Sequence, residues 1–251
     1  KIIGEFDRAL DNEEFVMYLQ PQVDFKGIAR GAEALVRWRH PVKGLLSPAV
    51  FVDVLEKAGL IYKIDKYMWE KAAAKLKEWK ELGKEQYHIS VNISTKDFYL
   101  VDVYETFVDI VERNGINPEK LKLEITETTI MDNFERNIKI IKRLQDYGFK
   151  IEIDDFGSGY SSLNMLKDIS ADILKIDMGF LNATENELKG QDILESIIFL
   201  AQKLGMEVIT EGVETSQQLT MLIQMGCRMF QGYYFSKPLS VEKFEDKFLQ
   251  D

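Results

Sequence analysis

Acidic side chains recur at alternate positions of short apolar segments, close to where each segment ends. Glu124 alternates with Leu123 and Ile125, and Asp154 follows Ile153. Other polar residues in or just after such segments are Glu33, Arg37, Asn92, Asp177, Glu211 and Gln231. Successive side chains of a strand point to opposite faces, so the acids share one face and the apolar residues the other. Acids that converge in this way repel one another, and bound divalent cations would remove that cost.

The kind of ligand limits the kind of metal. Hard oxygen donors without His or Cys select Mg²⁺ or Mn²⁺ over zinc or copper. One carboxylate of the adjacent pair Asp154 and Asp155 could bridge two ions while its neighbour binds the second. A site with two ions stabilises the attacking and leaving oxygens of phosphodiester hydrolysis. Lys175 shares a face with Asp177 and would either orient a water or compensate charge, and Arg37 offers a two-pronged contact to a phosphate.

Period-two alternation predicts eight strands, separated by longer segments with helical spacing. The predicted strands are residues 15–23, 28–38, 87–93, 121–126, 149–154, 172–177, 206–211 and 229–235. The predicted helices are residues 48–58, 63–82, 96–114, 131–147, 161–168, 186–204, 215–225 and 240–250. This alternation over 251 residues matches a (β/α)8 barrel, whose chemistry lies at the carboxyl ends of its strands.

The connection between the first two predicted strands departs from a regular barrel. Only residues 24–27 join these strands, whereas a parallel pair needs a crossover of roughly a dozen residues or more. We therefore predict an α/β fold, a modified TIM-type (β/α)8 barrel with one antiparallel strand in an N-terminal hairpin. Residues 1–251 contain no linker and are predicted to form one domain. The alternative is a half-exposed antiparallel sheet with solvated acids, which the long helical crossovers do not favour.

Composition excludes several classes of function. The chain has 42 Asp and Glu against 32 Lys and Arg, a net charge of −10, two His and one Cys. The acidic balance excludes a basic groove for a nucleic-acid polymer, and the few His and Cys exclude a disulfide framework or a Cys/His zinc cluster. No apolar run is long enough for a membrane span or a signal peptide. A lone Cys favours a cytoplasmic location, and the start without Met leads us to expect a piece excised from a longer protein.

An ordered series of motifs extends over nearly the whole chain. It comprises Gln20-Pro21, Glu33-Ala34-Leu35, Val91-Asn92-Ile93-Ser94, Leu123-Glu124-Ile125-Thr126-Glu127, Ile153-Asp154-Asp155-Phe156-Gly157-Ser158-Gly159, Leu174-Lys175-Ile176-Asp177, Glu211-Gly212-Val213-Glu214-Thr215 and Gln231-Gly232-Tyr233. In these motifs the chain resembles the EAL-domain family of cyclic di-GMP phosphodiesterases. The resemblance implies a barrel with one antiparallel strand and hydrolysis of cyclic di-GMP to linear pGpG. It also implies a requirement for Mg²⁺ or Mn²⁺, with two ions per site.

The resemblance further implies a role for each matched residue. The implied metal ligands are Glu33, Asn92, Glu124, Asp154, Asp155 and Glu211. The implied catalytic residues are Glu33, Glu211, which binds metal or activates the water, and Lys175, its partner. The implied substrate-binding residues are Gln20, Leu35, Arg37, Asp177, Glu214 and Gln231. Glu127 resembles the residue that anchors the loop 156–163, a segment that the family uses in dimerisation and regulation.

Four positions depart from the family pattern. Ser158 stands where the family often has Thr, and Arg228 replaces a common Asp. Val50 replaces an often acidic residue, and Asp53 a common Pro. None of these changes removes a matched ligand, but the first three could alter loop dynamics or the grip on the nucleobase.

Three functions remain open at this point. An active phosphodiesterase leads, because every implied metal and catalytic position carries the expected residue. The rivals are a non-catalytic cyclic di-GMP receptor and an interaction module whose barrel serves as a scaffold. The expected partners are cyclic di-GMP, a second copy in a homodimer, and an upstream sensory or GGDEF-type domain in the full-length protein. This chain itself is expected to contact no membrane, although missing domains could anchor the full-length protein to one.

Overall fold

The computed structural model describes residues 2–156, 169, 171–179 and 187–249. The predicted helix 161–168 and Ser158 lie outside the described residues, as does most of the loop 156–163. The described strands are β1 (Phe15–Asp24), β2 (Ala29–His40), β3 (Gly44–Leu46), β4 (His88–Ile93), β5 (Leu121–Thr126), β6 (Ile151–Asp154), β7 (Ile173–Asp177), β8 (Glu207–Glu211), β9 (Met229–Phe230) and β10 (Leu239–Ser240).

Eight of these strands form a closed barrel. They pair in the order β1, β9, β8, β7, β6, β5, β4 and β2, and the pairing of β2 with β1 closes the ring. β1 is antiparallel to both of its ring neighbours, whereas the other ring pairs are parallel. The predicted barrel with one antiparallel strand is confirmed, and the alternative of a half-exposed antiparallel sheet is wrong. The short strands β3 and β10, which the alternation did not predict, pair antiparallel with β2 and β1 outside the ring.

A tight turn reverses the chain between β1 and β2. Asp24 Oδ1 accepts hydrogen bonds from the backbone N–H groups of Lys26 (2.8 Å) and Ile28 (3.1 Å). Gly27 adopts a φ of 78°, a left-handed conformation that costs glycine little. The strands then align with Gln20 opposite Glu33. Because β1 runs against β2, the first half of β1 lies beside the carboxyl end of β2.

The helices lie in sequence between and beside the strands. The described helices are α1 (Ile2–Asp11), α2 (Val52–Lys57), α3 (Ile61–Glu81), α4 (Asp97–Leu100), α5 (Val103–Asn114), α6 (Glu127–Asp132), α7 (Phe134–Tyr147), α8 (Glu187–Lys203), α9 (Ser216–Gln224) and α10 (Val241–Phe248). The predicted helix 96–114 divides in two because the side chain of Asp102 accepts a hydrogen bond from Glu105 N and caps α5. Helix α1 was not predicted. No helix in the described part of the chain is long and apolar enough to cross a membrane.

The two faces of the barrel strands have opposite environments. Leu123 and Ile125 of β5 are fully buried in the core, as is Trp69 of α3. The alternate residues face the lumen, and there Glu124 and Lys175 are each only 1 % exposed. The lumen of this barrel is therefore a buried layer of charged side chains, as the polar alternation of the strands predicts.

A buried acid and a half-buried acid interact where the chain leaves β4. Asp97 at the start of α4 is fully buried, and its Oδ2 accepts hydrogen bonds from Ser94 N (2.7 Å) and Ser94 Oγ (2.9 Å). Burial raises the pKa of Asp97 to about 6 despite those hydrogen bonds. The pKa of Asp65 on α3 is raised well above its usual value by burial and then by the charge of Asp97. The native protein therefore binds a proton here more tightly than the unfolded chain does.

This pair leads to a prediction for stability against pH. The stabilisation from a raised carboxyl pKa is complete below the unfolded pKa near 4 and is lost as pH rises through about 6. Asp97→Asn keeps an acceptor for Ser94 and removes the charge, so we expect the variant to be about 1–3 kcal/mol more stable than the wild type at pH 7.5. Urea unfolding at pH 4.5 and 7.5 measures this, with the exposed Asp146→Asn as the matched control. Equal pH dependence in the wild type and the Asp97 variant would show that Asp97 does not bind a proton more tightly in the native state.

Candidate active site

Three glutamates from separate strands meet at the carboxyl end of the barrel. Glu33 on β2, Glu124 on β5 and Glu211 on β8 each offer a carboxylate oxygen, and these oxygens lie within 4.8 Å of one another. Glu33 and Glu124 are buried and Glu211 is half-buried. The strand register brings further polar residues to the same level: Asn92 is aligned with Glu124, and Asp177 with Glu211.

Lys175 lies in the middle of these acids. Its Nζ is 2.9 Å from Glu211 Oε1, 3.4 Å from Glu33 Oε2 and 3.6 Å from Asp154 Oδ1. It also forms an ion pair with Glu124. Burial alone would lower the pKa of Lys175, but the charges of Glu211 and Glu33 outweigh it and raise that pKa above its usual value. One ammonium group thus neutralises part of the charge of four carboxylates.

The remaining negative charge affects the acids themselves. Burial, followed by the charges of Glu211 and Glu33, raises the pKa of Asp154 to about 9. Burial also raises the pKa of Glu211, against the attraction of Lys175. The pKa of Glu33 is lowered, because Lys175 and hydrogen-bond donors outweigh the effect of burial. A cluster with these properties binds either protons or added cations.

Two amide side chains fix the position of the Glu33 carboxylate. Gln231 Nε2 donates a hydrogen bond to Glu33 Oε2 (2.6 Å), and Asn92 Nδ2 donates to Glu33 Oε1 (3.2 Å). The end of β4 is held in turn by Trp69, whose indole N–H donates to the backbone carbonyl of Asn92 (2.9 Å). Gln231 Nε2 also reaches Gln20 Oε1 at 3.4 Å. These contacts connect β1, β2, β4 and the segment after β9 around one carboxylate.

Backbone conformation brings other residues to the rim. Asp155 adopts a φ of 55°, a left-handed conformation that Asp tolerates better than most residues. A Cβ atom at Gly232 would lie 2.2 Å from the carbonyl oxygen of Val213, so only glycine permits this approach of the two loops. Tyr234 N then donates to Val213 O, which explains why the predicted strand 229–235 ends at Phe230.

A cavity of about 410 Å³ opens beside the cluster. Its wall is formed by Gln20, Glu33, Leu35, Asp154, Lys175, Asp177, Glu211, Gly212, Glu214, Gln231, Gly232 and Tyr233. It thus contains five of the six implied substrate-binding residues. The sixth, Arg37, is half-buried two positions beyond Leu35, and its guanidinium carbon lies 5.6 Å from the ring centroid of Tyr18.

Asp155 and Glu127, the remaining residues with an implied role, lie at the edge of the site. Asp155 is exposed beside Asp154, and the charge of Asp177 adds to burial in raising the pKa of Asp155. Glu127, the implied loop anchor, is buried at the start of α6, while most of the loop lies outside the described residues. The sequence pattern predicts no role for Tyr18, Lys122 or Glu152. Alternation along β1 could have found Tyr18, which shares the face of Gln20.

The donor set fits divalent cations. Within the described part of the chain, Asp154 Oδ1 and Glu124 Oε2 are buried without a hydrogen-bond partner. Carboxylate oxygens and one amide surround the space, and the ammonium group of Lys175 already occupies a position among them. Mg²⁺ and Mn²⁺ prefer such oxygen ligands. The cluster therefore has the ligands and the excess negative charge that such a cation requires.

The fold is a TIM-like α/β barrel with one reversed strand. Its charged residues lie at the carboxyl ends of the strands, where barrel enzymes have their active sites. The EAL domain model matches residues 3–238, and the chain belongs to the EAL-domain family.

Proteins similar to this chain include named cyclic di-GMP phosphodiesterases. MucR of Pseudomonas aeruginosa, a bifunctional diguanylate cyclase/cyclic di-GMP phosphodiesterase, is 34% identical over 244 residues, which cover 97% of this chain and 36% of that protein. NbdA of the same species, a cyclic di-GMP phosphodiesterase, is 35% identical over 243 residues, 96% of this chain and 31% of that protein. The solved complex of the MucR phosphodiesterase with c-di-GMP has a TM-score of 0.91 at 34% identity, over 97% of this chain and 99% of that chain. This chain spans about a third of the length of the two curated relatives.

Proposed function

We propose that this chain is a phosphodiesterase that hydrolyses cyclic di-GMP to linear pGpG with two divalent cations, Mg²⁺ or Mn²⁺. The observation that carries the proposal is the set of four acids around Lys175, three of which line an open cavity: Glu33, Asp154 and Glu211. Membership in the EAL-domain family and the relatives named cyclic di-GMP phosphodiesterases support the choice of substrate.

The ligands proposed for the cations are the residues that carry oxygen donors at the cluster. They are Glu33, Asn92, Glu124, Asp154, Asp155 and Glu211. When bound, the cations supply positive charge that stabilises the attacking and leaving oxygens of the phosphodiester. Gln231 keeps the Glu33 carboxylate aimed at the cluster through its 2.6 Å hydrogen bond.

Glu211 and Lys175 act on the attacking water. The Glu211 carboxylate accepts a proton from the water, and the adjacent ammonium of Lys175 orients that water and balances charge on the phosphate oxygens. The water oxygen forms the new bond to phosphorus, and the bond from phosphorus to the ribose oxygen breaks. The ribose oxygen takes up a proton from solvent as it leaves, and Glu211 then releases the proton it accepted to solvent, which restores its carboxylate. The cavity wall shields the reacting group from bulk water on one side.

The substrate is held by residues of the cavity wall and of its rim. Gln20, Asp177, Glu214 and Gln231 offer hydrogen-bonding groups, and Leu35 offers an apolar surface for a base. The Arg37 guanidinium supplies a two-pronged contact to phosphate or to a base edge. We assign Glu127 to anchoring the loop 156–163.

We also propose a setting for this activity. The chain acts in the cytoplasm as a homodimer and as one part of a larger protein that carries a sensory or GGDEF-type domain. Support comes from the length of the relatives and from the name of MucR, which includes a diguanylate cyclase. Exposed Tyr99, Leu100 and Met131 on α4 and α6 provide apolar surface for a second copy.

Incubation of the purified chain with cyclic di-GMP tests the function. We expect linear pGpG with Mg²⁺ or Mn²⁺, loss of turnover with EDTA, and recovery when either metal is added in excess. Chromatographic separation of cyclic di-GMP from pGpG gives the measurement. Tight binding of cyclic di-GMP without turnover in either metal would identify a receptor instead. If the chain neither binds nor hydrolyses cyclic di-GMP, an interaction module is the remaining function.

A further inference from the structure

A second pair of charges lies in the barrel below the acidic cluster. Lys122 is two residues before Glu124 on β5, and Glu152 is two residues before Asp154 on β6. This spacing places both side chains on the lumen face, each one inward-facing position before the proposed ligand of its own strand. Glu152 is fully buried, and the Lys122 side chain is 12% exposed. Lys122 Nζ lies 3.6 Å from Glu152 Oε1.

The register of the strands places Glu152 next to a proposed ligand. Glu152 is aligned with Glu124 across the parallel pair β5 and β6. Both side chains face the lumen from adjacent strands and both are buried, Glu124 at 1 % and Glu152 at 0 % exposure. A charge on Glu152 therefore acts on Glu124 through surroundings of low dielectric.

Lys122 lies nearer than Glu152 to the amino-terminal ends of the strands. It lies at the level of Ser90, since the two residues are aligned across β4 and β5. Its charge contributes, after burial, to the pKa of His88, which lies well below its usual value. The pair is therefore polarised along the barrel, with its negative end next to Glu124 and its positive end towards His88.

Stability alone does not account for a buried pair of this kind. Replacement of a buried ion pair by apolar residues is often neutral or stabilising, because the cost of removing both charges from water offsets their attraction. A further carboxylate beneath a cluster that already holds four acids makes that cluster still more repulsive. The arrangement becomes favourable once divalent cations are bound above it.

We propose that Glu152 is a positioning residue for the metal site, whose charge beside Glu124 strengthens the binding of divalent cations and which Lys122 holds in place. This inference rests on the proposed function, since it assumes that the cluster binds Mg²⁺ or Mn²⁺. Glu152 contacts neither substrate nor cation in this role. It acts through the electrostatic potential at Glu124.

Calorimetric titration of the metal-free chain with Mn²⁺, without substrate, tests the inference. At pH 8.5 we expect Glu152→Gln to bind Mn²⁺ about tenfold more weakly than the wild type. The double variant Lys122→Met, Glu152→Gln removes both charges, and we expect it to bind Mn²⁺ at least about threefold more weakly while unfolding in EDTA at or above the wild-type temperature. Glu207→Gln, the same change at an exposed position of β8, is the matched control and should bind as the wild type does.

The outcomes separate this inference from the proposed function. Wild-type affinity in Glu152→Gln and in the double variant overturns the role of Glu152 and leaves the metal site intact. If Glu152→Gln does not fold, the double variant decides alone, because it has no unpaired Lys122. A wild-type chain that binds no Mn²⁺ overturns both the metal site and the inference built on it.

Discussion

Glu33→Gln is expected to lower kcat for cyclic di-GMP by at least about 1,000-fold at saturating Mn²⁺. The loss corresponds to about 4 kcal/mol of transition-state stabilisation, since each 1.36 kcal/mol changes the rate tenfold. Glu33 has a central position: one carboxylate oxygen accepts from Asn92, and the other accepts from Gln231 and lies 3.4 Å from Lys175. Glutamine preserves the shape but removes the charge and presents an N–H group where one of these donors needs an acceptor.

Three measurements are needed to interpret this result. Steady-state kinetics gives kcat and KM, calorimetry gives the affinity for Mn²⁺, and thermal unfolding in EDTA shows whether the variant is folded. Glu207→Gln controls for the chemical change, because Glu207 is exposed on the same barrel. A folded Glu33→Gln variant that retains more than a tenth of the wild-type kcat would remove Glu33 from the metal site.

The barrel and the place of its acids could be predicted from local patterns. Alternation along β5 and β7 assigns Glu124 and Lys175 to the polar face, and burial of the apolar face against helices leaves the lumen for that polar face. The four-residue connection 24–27 requires the antiparallel strand, and the structure confirms it through the pairing of β1 with β2. Each of these inferences depends only on neighbours in the sequence.

Other features depend on which strands meet across the barrel. Local alternation places Lys122 and Glu152 on inward faces, but only the register of β5 and β6 and the closure of the ring bring them together. The same holds for Lys175, whose four carboxylate partners come from four different strands. The capping interaction of Asp102 is local, and Asp at this position is a recognisable signal that the continuous apolar pattern of 96–114 obscured.

Part of the net negative charge of the chain is concentrated in the barrel lumen. Four carboxylates and one ammonium group lie within one buried cluster, where the local dielectric makes each charge more costly than on the surface. Without cations, this part of the barrel depends on Lys175 and on bound protons for neutrality. Stability and metal binding should therefore be linked through this lysine.

Lys175→Met tests that link and has the largest expected effect on stability. Removal of one partner from a buried ion pair costs about 3–5 kcal/mol, so we expect the metal-free variant to be about 3 kcal/mol less stable than the wild type at pH 8. Bound cations replace the missing positive charge, and ligand binding to the native state adds stability. Mn²⁺ should therefore raise the unfolding temperature of Lys175→Met by more than it raises that of the wild type, while kcat stays at least about 100-fold reduced because the lysine that orients the water is absent. The exposed Lys66→Met is the matched control for removal of a lysine charge. Equal shifts with Mn²⁺ in the Lys175 variant and the wild type would mean that Lys175 and the cations do not share these carboxylates.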